Sequence, residues 1–163
     1  MQTRIPPPIL ALGSASLMWW LDRSLALGQL LPRQWQAWGV LPAAIGLGVT
    51  LTAMWQFRQA RTTINPMKPE AATELVTGGI FRFSRNPMYF GLALVLTGWA
   101  IWLGTLGPWL GLPLFVVAVT LLQIVPEERV LKRLFGPRYV DYCRNTGRWF
   151  TLGPREKGYR DVA

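Results

Sequence analysis

Residues 88–126 read MYFGLALVLTGWAIWLGTLGPWLGLPLFVVAVTLLQIVP, 39 positions without a single charge. As one helix, at 1.5 Å per residue, the run would reach roughly 58 Å, against about 30 Å of bilayer hydrocarbon. It is too long for one span. Gly104-Thr105-Leu106-Gly107-Pro108-Trp109 interrupts it at its middle. The run therefore predicts a helical hairpin, with one helix over about 88–103 and its partner over about 109–125.

Outside this hairpin a second uncharged run covers residues 34–57. It predicts a helix over about 36–57, with Trp35 and Trp38 as interfacial anchors and Pro42 as a possible kink. Its Gly39, Gly46 and Gly48 are small residues of the kind that let helices approach closely in lipid. They could serve contacts within one chain or between two copies, so a homo-oligomer through this helix is one expected assembly. An earlier apolar segment starts near Ile9 and meets Asp22-Arg23, predicting a first span over about 9–28. Arg4 ahead of it faintly resembles a signal peptide. The bulky Trp19-Trp20 pair, with no small-residue cleavage site, favours a retained span.

The fold class expected is thus an all-α integral membrane protein. Four transmembrane helices and a cytoplasmic amphipathic C-terminal segment form a single domain over 1–163. Composition agrees: 51% hydrophobic residues and nine Trp in 163 positions. The chain carries 17 Lys+Arg against eight Asp+Glu, a net +9. Such a balance often indicates nucleic acid, but charges excluded from two long runs indicate a membrane instead. Basic residues gather in 58–87 and 127–163 and avoid the hairpin turn. Both polar segments are expected on the cytoplasmic side, in the plasma or inner membrane of a bacterium. With one cysteine, Cys143, no disulfide forms within the chain. With no histidine, neither a zinc site nor a histidine-based triad is expected, and no metal is expected.

Two stretches beside the hairpin hold the candidate chemistry. Ser84-Arg85-Asn86-Pro87-Met88-Tyr89 opens the first hairpin helix. Asn86 is a favourable N-cap and Pro87 a favourable first helical residue, and a helix N-terminus is a ready anion site. Tyr89, three residues on, shares its side. Glu127-Glu128 closes the uncharged run. Glu128 has Lys132 one turn later as an in-helix partner, whereas Glu127 has Leu131 there, which makes Glu127 the better ligand contact. The hairpin brings both stretches to one rim, where an anion-binding helix end and a carboxylate suit a zwitterion with an extra positive charge. After Pro126 an amphipathic helix carries Val130, Leu131, Leu134 and Phe135 on one face. Gly136-Pro137 ends it and starts another with Tyr139, Tyr142 and Cys143, an expected interfacial pair lying on lipid.

Three segments in this order resemble the isoprenylcysteine carboxyl methyltransferase and phospholipid methyltransferase group of membrane enzymes. They are ELVTGGIFRFSRNPMYFG (74–91), the uncharged hairpin, and EERVLKRLFGPRYVDYCRNTGR (127–148), within a resemblance covering residues 65–149. It implies S-adenosylmethionine as methyl donor, held by 65–91 and 126–150, and a lipophilic acceptor entering from the membrane. The donor contacts implied are Thr73, Glu74, Leu75, Val76, Phe81, Asn86, Pro87, Met88, Tyr89 and Glu127, with Tyr139 among the aromatic residues near it. Glu127, Arg85 and Gln123 are the implied residues at the reacting centre. Many members have His where this chain has Asn86, and some have Arg where it has Gln123. Asn86 cannot carry a proton, and a neutral Gln123 suits an uncharged or amine acceptor better than a carboxylate, unless Arg82 or Arg129 substitutes. Two other classes fit the apolar helices: a membrane reductase using NADPH on a lipid double bond, and a lipid-binding scaffold without activity. No Gly-x-Gly-x-x-Gly loop supports the reductase.

Overall fold

A computed structural model describes residues 6–25, 28–60 and 74–151. Thr73, and with it the 65–73 part of the expected donor region, lies outside the described residues. Five helices account for most of the rest. Helix α1 is Pro7–Ser24. Helix α2 is Arg33–Gln59 and α3 is Pro87–Leu103. Helix α4 is Gly107–Phe135 and α5 is Pro137–Asn145. A 3₁₀ turn, Gly79–Arg82, precedes α3. Among the described residues, α2 and α4 are long and apolar enough to cross a membrane. Helix α3, with 17 residues, is about 26 Å long, slightly under one hydrocarbon thickness.

The helix boundaries have local causes. Pro6 and Pro7 start α1, which stops where Leu25 turns extended, short of the expected limit near residue 28. Within α2, a 3₁₀ turn at Ala37–Gly39 precedes the α-helical Val40–Gln59. It lies just ahead of Pro42, whose missing N–H cannot bond to the Trp38 carbonyl. Helix α3 ends at Gly104, left-handed at φ 79°, a conformation that suits glycine.

Helix α4 corrects the expected break at Pro126. It is one continuous helix of 29 residues, not a span over 109–125 followed by a separate surface helix. A π-helical turn, Thr120–Ile124, makes this possible. The Val125 N–H bonds to the Thr120 carbonyl, five residues back. Pro126 then falls in the first turn of the following α segment, where a missing N–H costs little. Only α5 turns away, at Gly136 with φ 49°.

Helices α2 and α3 pack antiparallel through paired glycines. A methyl group added at Gly46 would meet the Gly91 carbonyl, and one at Gly39 would meet the Gly98 carbonyl. Two of the three α2 glycines thus serve contacts inside the chain, whereas Gly48 faces open space. One end of the bundle is knit tightly. Leu30 and Leu31 donate to the Gly104 carbonyl. Thr105 donates to Asp22 Oδ1 at 2.6 Å, and a methyl group on Gly107 would press on Leu21. Exposed Trp19, Trp20, Trp35, Trp38 and Trp102 surround this end, as an aromatic belt at a membrane interface would.

Met18, Tyr89, Leu96, Ala100, Phe115, Val119 and Ile124 form the core between α1, α3 and α4. At the opposite end, Ala53, Phe81, Tyr139 and Tyr142 form a second core, with Leu75, Val76, Met88 and Leu131 packed against it.

Candidate functional site

The second core and the start of α3 meet at the rim that carries Glu127. Tyr89, 5% exposed, donates its hydroxyl to Glu127 Oε1 at 2.6 Å. The π turn supports this pairing: the helix reaches Glu127 without a break. Gln123, fully buried, stands one turn earlier within the π segment.

Next to this pair lies an ionic cluster. Arg148 holds Glu128 through both oxygens, Nε to Oε1 at 2.9 Å and a terminal nitrogen to Oε2 at 2.7 Å. Arg85 reaches the same carboxylate at 3.2 Å. It also contacts the Cys143 sulfur and the Tyr139 hydroxyl. Two guanidinium groups thus share one carboxylate. The Arg85 Nε is buried and has no hydrogen-bond partner among the described residues.

This cluster corrects the expected Glu128–Lys132 pair. Glu128 pairs instead with Arg85 and Arg148, and Lys132 is exposed. The reason is energetic: a half-buried carboxylate gains more from a planar bidentate guanidinium than from a mobile solvated ammonium. The Glu128 hydrogen bonds push the Arg148 pKa further up. Burial raises that of Tyr142. Burial and then Cys143 raise that of Tyr139, against the pull of Arg85.

Asn86 also departs from expectation. It precedes α3, but its side chain makes no capping bond. Its Nδ2 donates instead to the Arg148 carbonyl at 3.1 Å, and Ser84 Oγ takes the cap-like contact with the Asn86 N–H at 3.0 Å. The Arg85 N–H donates to the Gly147 carbonyl and the Thr151 N–H to the Phe83 carbonyl. Residues 146–151 therefore lie as a strap along the entrance to α3.

Most expected site residues come together. Leu75, Val76, Phe81, Met88 and Tyr139 share the second core. Pro87 is buried at the start of α3 and Tyr89 belongs to the first core, while Arg85 reaches Tyr139 and Glu127 meets Tyr89 at the rim. Phe81 is 3% exposed and edges onto Phe57 at 4.9 Å, so its ring serves packing here. Glu74, Arg82 and Arg129 are exposed. Glu128 and Arg148 escaped the sequence-based site. Their partnership spans 20 residues, and no local spacing announces it.

A model described as phospholipid methyltransferase matches residues 35–138, well over half of the chain. The chain belongs to the phospholipid methyltransferase family. The family match takes in α2 from Trp35 onward, α3, α4, Tyr89 and both glutamates but ends inside α5, leaving Arg148 and the strap beyond it. A protein named only as uncharacterized, from Haemophilus influenzae, is 39% identical over 62 residues, 38% of this chain and 98% of its own. The methanethiol S-methyltransferase of Pseudomonas deceptionensis is 26% identical over 144 residues, 88% of this chain. The chain spans 53% of that relative's length. No solved structure matches the chain. Membership in this family supports a membrane methyltransferase.

Proposed function

We propose that this chain transfers a methyl group from S-adenosylmethionine to a neutral lipophilic acceptor at the membrane surface. The observation that carries this reading is the Tyr89–Glu127 pair set beside a carboxylate shared by two arginines. The donor's amino-acid end is a zwitterion, and its ribose offers hydroxyls. An ionised Glu127 suits the ammonium or the hydroxyls. Arg85, with its unpartnered Nε and the surplus positive charge of the cluster, suits the carboxylate. Thr73, Glu74, Leu75 and Val76 would border the donor along the backbone, with Phe81, Asn86, Pro87, Met88 and Tyr139 around it.

When bound, the donor supplies an electrophilic methyl group on a sulfonium. The chain's own residues position and desolvate. Tyr89 orients Glu127, and the buried Tyr89, Tyr139 and Ile124 exclude water from the rim. Gln123 offers an amide and no charge, which favours acceptors without a carboxylate. With no histidine in the chain, an acceptor that must lose a proton gives it to a carboxylate or to water. The relative named for S-methylation of methanethiol supports a small thiol as one acceptor. In this reading four helices cross the membrane, and α5, the strap and the rim face the cytoplasm.

The test is binding and turnover with detergent-purified protein. Titration with S-adenosylhomocysteine is expected to show saturable binding. Radiolabelled donor is then offered with a membrane lipid extract, a prenylcysteine mimic and short alkyl thiols. Absence of binding up to high micromolar concentration sinks the donor assignment. Labelling confined to carboxylate acceptors would overturn the role given to Gln123.

A further inference from the structure

Beside Tyr142, a cleft of about 490 Å³ opens between residues 75–82 and α5. Arg82, Arg138, Asp141, Asn145 and Thr146 line it, together with Tyr142. Tyr142 is a closed wall. Its hydroxyl is committed to the Phe81 carbonyl at 2.7 Å, and its ring packs edge-on to Tyr139. Leu75 and Thr77 complete the lining, which holds none of Tyr89, Arg85 and Glu127; the cleft therefore lacks the charged groups of the rim but shares Leu75 with the border proposed for the donor.

Its chemistry is cationic. Arg82 stands on the 3₁₀ turn and Arg138 in the first turn of α5, so guanidinium groups come from two separate elements. Thr146 Oγ1 donates to the Arg82 carbonyl and ties that turn to the end of α5. Asp141 is the opposing charge, but Arg144 pairs with it at 3.4 Å. Among the described residues two positive charges remain without an ion-pair partner, beside the amide of Asn145. This is a donor set for a phosphate group, which guanidinium forks match geometrically. The volume exceeds that of a bare phosphate ion and leaves room for a headgroup.

A second observation indicates where such a phosphate comes from. Phe83, next to Arg82, is 47% exposed, and Phe150 is 55% exposed. The Thr151 N–H bonds to the Phe83 carbonyl, which holds the two aromatics in one region, and Phe150 stacks on Phe90 at 5.9 Å. An exposed aromatic patch beside a basic cleft matches the boundary between headgroups and acyl chains.

We propose that this cleft binds the phosphodiester headgroup of an anionic phospholipid, with Phe83 and Phe150 entering the upper acyl region. The site anchors the polar end of the bundle on the membrane surface; it shares Leu75 with the border proposed for the donor, and its test reads lipid retention, which does not depend on donor binding. Inorganic phosphate shares the recognised chemistry, so the test includes it.

The experiment is native mass spectrometry of the full chain released from detergent with equimolar phosphatidylglycerol and phosphatidylcholine. Phosphatidylglycerol adducts are expected to dominate. The Arg82→Gln/Arg138→Gln double variant is expected to lose them about tenfold or more. Lys132→Gln/Arg133→Gln, which removes the same charge from exposed positions of α4, is expected to keep them. Thermal unfolding of each variant shows that the fold persists. Equal retention of both lipids overturns the proposal, as does an equal loss in the α4 variant. Displacement of the lipid by an equimolar amount of inorganic phosphate overturns the lipid assignment and gives the cleft to free phosphate.

Discussion

Tyr89 and Glu127 are 38 residues apart in sequence, yet their side chains meet at 2.6 Å. The bond joins the first turn of α3 to the polar end of α4. A hydroxyl donating to an ionised carboxylate in a half-buried site is worth about 1.5–3 kcal/mol. It also fixes which way the carboxylate faces. Glu127→Gln is expected to weaken S-adenosylhomocysteine binding by about tenfold or more, the scale of one charge-assisted contact. Tyr89→Phe should weaken it less, because the charge stays while its orientation loosens. Calorimetric titration of both single variants and the double variant reads this out. Unchanged affinity in Glu127→Gln removes that residue from the donor site.

The strap depends on Arg148. Its guanidinium holds Glu128 at two points while its carbonyl accepts from Asn86. Arg148→Ala is expected to cost about 1–2 kcal/mol. That is the lower part of the range for charged contacts, because the Arg148 side chain is 39% exposed and Arg85 still neutralises Glu128. Arg148→Lys keeps the charge but loses the fork, and should recover less than half of the loss. Glu128→Ala should cost more than Arg148→Ala, since it leaves two guanidinium groups facing each other. Thermal unfolding in one detergent ranks the three. A Lys variant as stable as the parent refutes the bidentate role.

What the sequence revealed of this arrangement, and what it hid, follows from the range of each signal. The limits of α3 were legible because Asn86-Pro87 and Gly104 are local punctuation. The structure places the helix at Pro87–Leu103, against an expected 88–103. The continuity of α4 was hidden. A proline after an apolar run reads as a stop, and the π turn that absorbs Pro126 depends on one bond between Val125 and Thr120. The site was half legible. Tyr89 and Glu127 follow from two helix ends meeting in a hairpin. Glu128 was misassigned because Lys132 is its nearest cation in sequence, while Arg148 becomes nearest only once the strap folds back. Asn86 carried a capping signal that a strap carbonyl outcompeted.

The α2–α3 interface makes a sharp prediction about glycines. A side chain at Gly46 or Gly91 would strike the backbone of the opposite helix, so the helices must separate to admit it. Gly46→Ala is expected to destabilise by about 1–3 kcal/mol, as overpacking does. Gly48→Ala, on the same helix but facing open space, should be neutral or stabilising by up to about 1 kcal/mol. Thermal unfolding separates the two. If Gly48→Ala proves as damaging as Gly46→Ala, then α2 glycines also meet a second copy, and cross-linking yield would fall in parallel.

Tyr142 gives the polar end of the bundle an alkaline limit. Burial raises its pKa above the ordinary value, so the folded chain keeps the phenolic proton after an unfolded chain would release it. The sign follows from linkage. This contribution to stability is fully present below the unfolded tyrosine pKa, about 10, and is lost as pH rises beyond it towards the folded value. Tyr139, raised mainly by burial, adds to the same decline. Tyr142→Phe removes one of the two groups. It also strips the Phe81 carbonyl of its donor, at a cost of about 1–3 kcal/mol near neutrality. The variant should therefore be less stable than the parent at pH 8, and the gap should narrow between pH 10 and 11. Thermal unfolding of both proteins across that range is the measurement, read as a difference so that other alkaline titrations cancel. A gap that stays constant with pH shows that Tyr142 contributes packing and its hydrogen bond without the proton linkage.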